Sequence, residues 1–381
     1  MLRILLSLFL LLFFLPLSVQ AQERFVGLSA DQIMLRDFET GQILYNKNGY
    51  ERMPTSSMSK VMTMYVVFDA LKSGRLNLQD RLKVSEKAWR KGGSKMFIEV
   101  GDTVLVEDLI KGVIVQSGND ATIALAEGIA GTEEAFADLL NEAARELGME
   151  DSQFANASGW PDPRHYSTAY DQSVLAEGIM QQFPEYYGYY QIKSFTYNDI
   201  TQRNRNPLLF RDDLNVDGIK TGHTEVGGYG LMASGYHDGR RVILVMNGME
   251  SERARANESA RVISWGLKSF ENETLVKAGE VVDEALVRYG KYDSVPMTVA
   301  EDFLLTLPKD GRADLKIAVR YDAPLVAPIQ RGDEVGTLVV SYADDMMEDV
   351  TIPLIAAKSV SKASIVSRMF SNISHRLLGG A

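Results

Sequence analysis

Apolar residues fall along this chain in three rhythms, and each predicts a different kind of structure. The first is an apolar run at residues 4–15, interrupted only by Ser7. Met1-Leu2-Arg3 precedes it, Pro16 closes it, and the small-residue site Val19-Gln20-Ala21 follows. A basic start, a short apolar stretch and a small-residue end predict a secretory signal peptide cleaved after Ala21. A membrane anchor is the alternative, but the run is too short to cross a bilayer comfortably.

The second rhythm fills residues 22–274 and switches between periods of two and of three to four. Ile33-Met34-Leu35 and Ile43-Leu44-Tyr45 flank Glu39-Thr40-Gly41, which predicts a hairpin over 32–46. After Pro54, Val61, Met64, Val67, Phe68 and Leu71 recur at helical spacing, and Gly74 is a natural stop. Helices are also expected over 105–115 and 121–128, split by the polar Gln116-Ser117-Gly118-Asn119-Asp120. A further helix should start at an N-cap, Thr132, and run to 147. Residues 156–166 read as a polar loop and 216–220 as a strand. Residues 229–236 and 242–249 form a hairpin around His237-Asp238-Gly239. A closing helix over 252–270 carries Val262, Ile263 and Leu267 as its core stripe.

The third rhythm begins near 275. Short Val-, Leu- and Ile-rich runs, such as 315–319 and 336–340, are divided by Gly, Pro and Asp. They predict a small all-β domain over 275–358. The expected fold class is α/β (α+β): an antiparallel sheet flanked by helices, then the β domain.

Composition narrows the chemistry. There is no cysteine, so an exported chain must be stable without disulfides, and a cysteine nucleophile or cysteine-held metal is excluded. The four histidines, His165, His223, His237 and His375, show no H-E-x-x-H spacing, which argues against a zinc peptidase. No metal or organic cofactor is expected. The formal charge of −11, with no basic tract near the candidate motifs, argues against nucleic acid as a partner.

Three short motifs carry the chemistry: Ser57-Met58-Ser59-Lys60, Ser117-Gly118-Asn119 and Lys220-Thr221-Gly222. Ser57 and Lys60, three apart on one helix, share a face. A serine hydroxyl is a poor nucleophile until a base lies within hydrogen-bond reach, and an i, i+3 lysine places one there. Ser57 at a helix N-terminus also has backbone N–H groups near any developing negative charge. A second Ser-x-x-Lys, at Ser359 and Lys362, has no downstream partners and reads as surface.

Together these residues resemble the low-molecular-mass penicillin-binding proteins of the D-alanyl-D-alanine carboxypeptidase group. The stretch 54–63 is similar to that family's nucleophile helix. The stretches 116–121 and 220–224, with Gly228-Tyr229 following, match its second and third motifs. Ser167-Thr168-Ala169-Tyr170-Asp171 resembles a segment between them. The resemblance implies a transpeptidase-like catalytic domain and the following roles. Ser57 is the nucleophile and Lys60 its base. Ser117 relays a proton to the leaving amine. Asn119 donates to substrate and holds Lys60. Lys220 and Thr221 receive the substrate carboxylate, and Gly222 lets the strand approach the substrate closely. The backbone N–H groups of Ser57 and His223 form the oxyanion hole. Arg255 either helps receive the carboxylate or is an ordinary helix-surface arginine. His165 and Asp171 are expected only to fix a loop.

The implied partners are peptidoglycan stem peptides and β-lactam antibiotics, with removal of the terminal D-alanine through an acyl-enzyme. A D,D-endopeptidase, a β-lactamase and a wall-binding morphology scaffold with weak catalysis share the motifs. No confident deacylating glutamate lies between Asn119 and Lys220. Finally, Ile365, Val366, Met369, Phe370, Ile373 and Leu377 recur at helical spacing among basic and polar residues. Residues 359–381 are therefore expected to form an amphipathic helix on the membrane surface, at the periplasmic face of the bacterial inner membrane.

Overall fold

The computed structural model describes residues 25, 27–309, 315–342 and 349–364. The expected signal peptide and the apolar positions of the expected terminal helix lie outside the described residues. The hairpins read from the sequence become β1 (Gln32–Asp37) with β2 (Ile43–Lys47), and β4 (Gly228–His237) with β5 (Arg240–Met249). Val216–Thr224 is β3. They form one antiparallel sheet in the order β2-β1-β5-β4-β3.

β5 explains why this sheet is internal. It is apolar without interruption from Val242 to Met246. Ile243 and Val245 join one core, while Val242, Leu244 and Met246 join the other. Such a run marks a strand covered on both faces. One face is covered by a helical layer: α1 (Lys60–Lys72), α2 (Val106–Val115), α3 (Asn119–Ala130), α4 (Glu133–Glu146) and α5 (Ala169–Gln182). The other is covered by α6 (Glu252–Lys268).

The periodicity of α1 predicts a stripe, yet the helix is buried all round except at Asp69 and Lys72. A helix apolar on every side belongs in the middle of a core. It therefore carries its first residue, Lys60, out of water. Thr132 caps α4 as expected, its hydroxyl accepting from the Ala135 N–H at 3.1 Å. α5 went unread in the sequence. Its buried face mixes Gln172 and Ser173 with Leu175, Ala176 and Ile179, so apolar contrast is weak, although Thr168 caps it by accepting from the Asp171 N–H.

β6 (Phe270–Val276) starts two residues after α6 ends. With β7 (Asp283–Arg288), β8 (Ser294–Thr298), β9 (Phe303–Pro308), β10 (Leu315–Arg320), β11 (Leu325–Val326), β12 (Glu334–Tyr342) and β13 (Val350–Ala356), it builds the all-β part. β6 pairs with β9, and the others form a sheet ordered β10-β12-β13-β8-β7-β11. The two parts meet through a closed set of hydrogen bonds. Gln42 Nε2 donates to Tyr342 Oη at 2.6 Å, Tyr342 Oη donates to the Thr306 carbonyl at 3.0 Å, and the Thr306 N–H donates to Gln42 Oε1 at 3.0 Å. The second Ser-x-x-Lys lies in the β part: Ser359 Oγ accepts from the Arg331 N–H, and exposed Lys362 bridges to Gly290.

Candidate active site

The three motifs, far apart in sequence, converge where α1, the α2–α3 junction and β3 meet. Ser57 lies in a single 3-10 turn, Ser56–Ser59, just before α1. Lys60 is fully buried. Its Nζ lies 2.9 Å from Ser57 Oγ and donates at 2.6 Å to the Ser158 carbonyl. Burial, then the positive charges of Arg205 and Lys91, lower the Lys60 amine to about 7. A buried ammonium is costly, so the neutral amine becomes accessible near neutral pH.

Ser117 occupies the left-handed region, φ +58°, at the break between α2 and α3. That conformation is uncommon for a residue with a Cβ and is kept only where its surroundings impose it. The turn leaves Ser117 Oγ as an acceptor for Lys220 Nζ at 2.9 Å, while Lys220 also donates to the Thr221 carbonyl at 3.2 Å. Lys220 is 3% exposed, and burial, followed by the charges of Lys60, Arg205 and Arg255, holds its amine well below its usual range.

Asn119 is placed differently from the expectation. Its Nδ2 donates to the Gly92 carbonyl at 2.8 Å, and Lys60 is held by Ser158 instead. The reason is local: the next residue, Asp120, accepts from the Met96 and Phe97 N–H groups, drawing that loop against the start of α3. Gly222 also differs. A Cβ there would lie 2.9 Å from the Thr55 carbonyl oxygen and 3.2 Å from Ser56 Cβ. Its missing side chain lets β3 close on the Ser56–Ser59 turn. Gly159, at φ +73°, does the same from the opposite loop, where any Cβ would strike the Ser56 carbonyl.

Thr221 is buried and His223 exposed, with the His223 ring 4.0 Å from that of Tyr229. The Arg255 guanidinium lies 5.5 Å from the same Tyr229 ring. Arg255 is buried rather than on the helix surface. Its Nε has no partner and its ion pair with Glu252 is long at 3.7 Å. Arg205, absent from the sequence reading, donates to Ser94 Oγ at 2.6 Å. His165 sits behind the Ser56–Ser59 turn. Its Nε2 is 2.7 Å from Ser59 Oγ, and Nδ1 accepts from the Ala155 N–H, so the neutral ring donates to Ser59. Asp171 accepts from Ser152 Oγ and the Asp151 N–H, tying a loop to α5. Among the described residues no cluster of three or more His, Cys, Asp or Glu could hold a metal.

A family described as D-alanyl-D-alanine carboxypeptidase matches residues 18–251, more than half of the chain. This chain belongs to that family. A second family, the C-terminal domain of penicillin-binding protein 5, matches residues 270–362. D-alanyl-D-alanine carboxypeptidase DacC of Escherichia coli is 36% identical over 369 residues, covering 94% of this chain and 92% of the relative. DacA of Haemophilus influenzae is also 36% identical, covering 93% and 92%. Among solved structures, penicillin-binding protein 5 from Haemophilus influenzae superposes with a TM-score of 0.76 at 36% identity, covering 88% of this chain and 98% of that one. DacD from Francisella tularensis gives 0.78 at 34%, covering 89% and 95%. A D-alanyl-D-alanine endopeptidase of Escherichia coli is 26% identical and covers 72% of this carboxypeptidase-family chain.

The residues that sequence reading missed share a cause. Ser158 acts through its backbone carbonyl, which has no side-chain signature. Lys91 and Arg205 belong to no motif and bear on the site through their charge, Arg205 on both buried lysines and Lys91 on Lys60.

Proposed function

We propose that this member of the carboxypeptidase family is a serine D-Ala-D-Ala carboxypeptidase that removes the terminal D-alanine of peptidoglycan stem pentapeptides. The single observation that carries the reading is a buried lysine amine, lowered to about 7, lying 2.9 Å from Ser57 Oγ. Lys60 takes the Ser57 proton as Oγ attacks the penultimate carbonyl. The backbone N–H groups of Ser57 and His223 receive the oxyanion. Ser117, bonded to Lys220, passes a proton to the leaving D-alanine amine, and water then hydrolyses the ester. An incoming carboxylate restores the charge on Lys220, and the unpartnered Nε of Arg255 favours its joining Lys220 and Thr221 there. Asn119 serves the substrate by holding the Gly92 loop as one wall of the cleft. β-Lactams present a strained carbonyl to the same serine and acylate it. No metal or organic cofactor takes part.

An endopeptidase is the second reading, supported by its 26% identical relative, but carboxypeptidases at 36% identity span more of the chain. The catalytic region is taken as 22–274 and the small β region as 275–358, with β6 starting at Phe270 and β pairing continuing to Ala363 on either side of those bounds. Residues 1–21 direct export. Residues 359–381 attach the enzyme peripherally to the periplasmic face of the inner membrane, a reading that rests on the helical spacing of Ile365, Val366, Met369, Phe370, Ile373 and Leu377 among basic and polar residues. The test is fluorescent penicillin labelling followed by release of D-alanine from a pentapeptide. Ser57→Ala should lose both while keeping its circular dichroism, and covalent labelling of that variant would overturn the assignment.

A further inference from the structure

A cavity of about 310 Å³ lies where the edge of the main sheet meets the β part, and none of the catalytic steps uses it. β2 and the turn before it supply Ile43 and Thr40, the chain after β2 supplies Tyr50, α5 supplies Tyr170, and β9 and β13 supply Phe303 and Thr351. The walls are braced from within. Tyr50 packs on Tyr170 with ring centroids 5.0 Å apart at 38°, and the Arg36 guanidinium lies 5.4 Å from the Tyr170 centroid. Arg36 is itself buried. It donates to the Gly41 carbonyl at 3.2 Å and to Ser173 Oγ at 3.3 Å, and it pairs with Glu177 at 3.1 Å. One buried arginine thus fixes two walls, the turn at Gly41 and the Tyr170 ring. Thr40 Oγ1, 2.7 Å from Thr306 Oγ1, fixes β9 against the same turn.

The chemistry of the walls selects the occupant. Asp349, itself exposed, is the only charged residue among the described ones that line the cavity. An anion finds no counter-charge there, and a cation finds one solvated carboxylate. Aromatic faces stand beside hydroxyls instead. Tyr50, 49% exposed, and Tyr170 supply rings, while Thr40 and the exposed Thr351 supply hydroxyl groups. A guest that is apolar on its C–H face and polar round its edge matches that mixture, because the face stacks on an aromatic ring while the edge exchanges hydrogen bonds. Those are the properties of an uncharged sugar.

Position ties the cavity to the reaction. Tyr50 is seven residues from Ser57, a separation of at most about 25 Å along extended chain. Glu51, Arg52 and Pro54, between them, are exposed. The segment is clamped by pairing of Met53 with Ser167 and by the Tyr170 N–H, which donates to the Gly49 carbonyl at 2.9 Å. One braced, exposed segment therefore links the cavity to Ser57. A stem peptide with its terminal bond at Ser57 reaches about 14 Å back to the polymer that carries it, taking about 3.5 Å for each of about four residues. The first sugars of that polymer then fall within the span between Ser57 and Tyr50.

We propose that this cavity is a glycan subsite, in which an uncharged sugar of the polysaccharide bearing the stem peptide stacks on Tyr50 while the end of the peptide reaches Ser57. The proposal rests on the carboxypeptidase reading above. A contact so far from the reacting bond is made equally in the ground state and the transition state, so it lowers KM and leaves kcat unchanged. The subsite selects polymer-bound over free peptide without touching the chemical steps.

The experiment measures D-alanine release by the full chain from two substrates, the free pentapeptide and the same peptide carried on soluble glycan chains. Tyr50→Ala removes the aromatic face and Thr351→Arg fills the cavity. Each should raise KM for the glycan-linked substrate about fivefold to tenfold, with kcat unchanged and the free pentapeptide within about twofold. Equal changes for both substrates, or none for either, would overturn the subsite, as would an unmodified protein with no preference for the glycan-linked peptide. If the unmodified protein releases D-alanine from neither substrate, the carboxypeptidase reading itself fails and the subsite with it. Thr351 is exposed, so its variant carries the test should loss of Tyr50 lower the thermal midpoint.

Discussion

At the scale of single residues, the site is governed by what burial does to titratable groups. In the proposed mechanism Lys60 acts as base only when neutral, and its amine is lowered to about 7 by burial and by Arg205 and Lys91. The sign is that of a base that must lose its proton: acylation falls as pH falls through about 7. A group with that value predicts about a tenfold rise in benzylpenicillin acylation between pH 6 and 8, and a flat profile would remove Lys60 from the role. His165 gives a stability signal with a different window. Burial lowers its imidazole from 6.5 to about 4. Above 6.5 neither folded nor unfolded chain holds the proton. Below it the unfolded chain binds a proton that the folded one refuses, so stability declines until about 4. The loss at pH 5 should be about 2 kcal/mol. His165→Gln keeps a donor for Ser59 but cannot titrate, so its urea midpoint should drop less between pH 7 and 5. An equal drop in both proteins would show that other groups set the acid limit.

At the scale of elements, catalysis depends on how closely β3 approaches the turn before α1. Gly222 and Gly159 bring backbone from opposite sides onto Thr55 and Ser56. Gly222→Val would push against the Thr55 carbonyl, Ser56 Cβ and Met58 Cγ, none of them the free end of a flexible side chain. Displacements near 1 Å at a reaction centre cost on the order of a hundredfold. Gly222→Val should therefore slow penicillin acylation by about that factor and lower the thermal midpoint. Gly222→Ala should fall between. Kinetics unchanged in both would mean that the strand and the turn are not rigidly coupled.

At the scale of the whole molecule, the ordered β part extends further along the chain than residue 358. The Ala363 N–H donates to the Tyr289 carbonyl, Lys362 bridges to Gly290, and Val360 is buried and paired with Ile329. A truncation meant to remove only the expected membrane helix should thus follow Ser364. That protein should keep full pentapeptide hydrolysis and lose flotation with anionic vesicles. The intact chain should float, less so in high salt. Cutting before Val360 should also lower the thermal midpoint, because it removes buried pairing. If the chain ending at Ser364 floats as well as the intact one, attachment lies elsewhere.

What the sequence by itself determined is whatever local chemistry writes into neighbouring residues. The hairpins around Thr40 and Asp238, the cap at Thr132, the α2–α3 break at Ser117 and the short strands after 275 all follow from periods, caps and turn residues. The order of the three motifs also sufficed to name the chemistry, since Ser57 and Lys60 are neighbours on one face before any tertiary contact forms. Only the tertiary structure decided which cations surround Lys60, that Ser158 rather than Asn119 holds it, and that Gly222 packs on Thr55. It also decided that Arg255 is buried with its Nε unpartnered. Charge interactions, backbone acceptors and close approach have no period and no signature residue. They arise from the distance between segments a hundred residues apart, which is set when the helices close over the sheet.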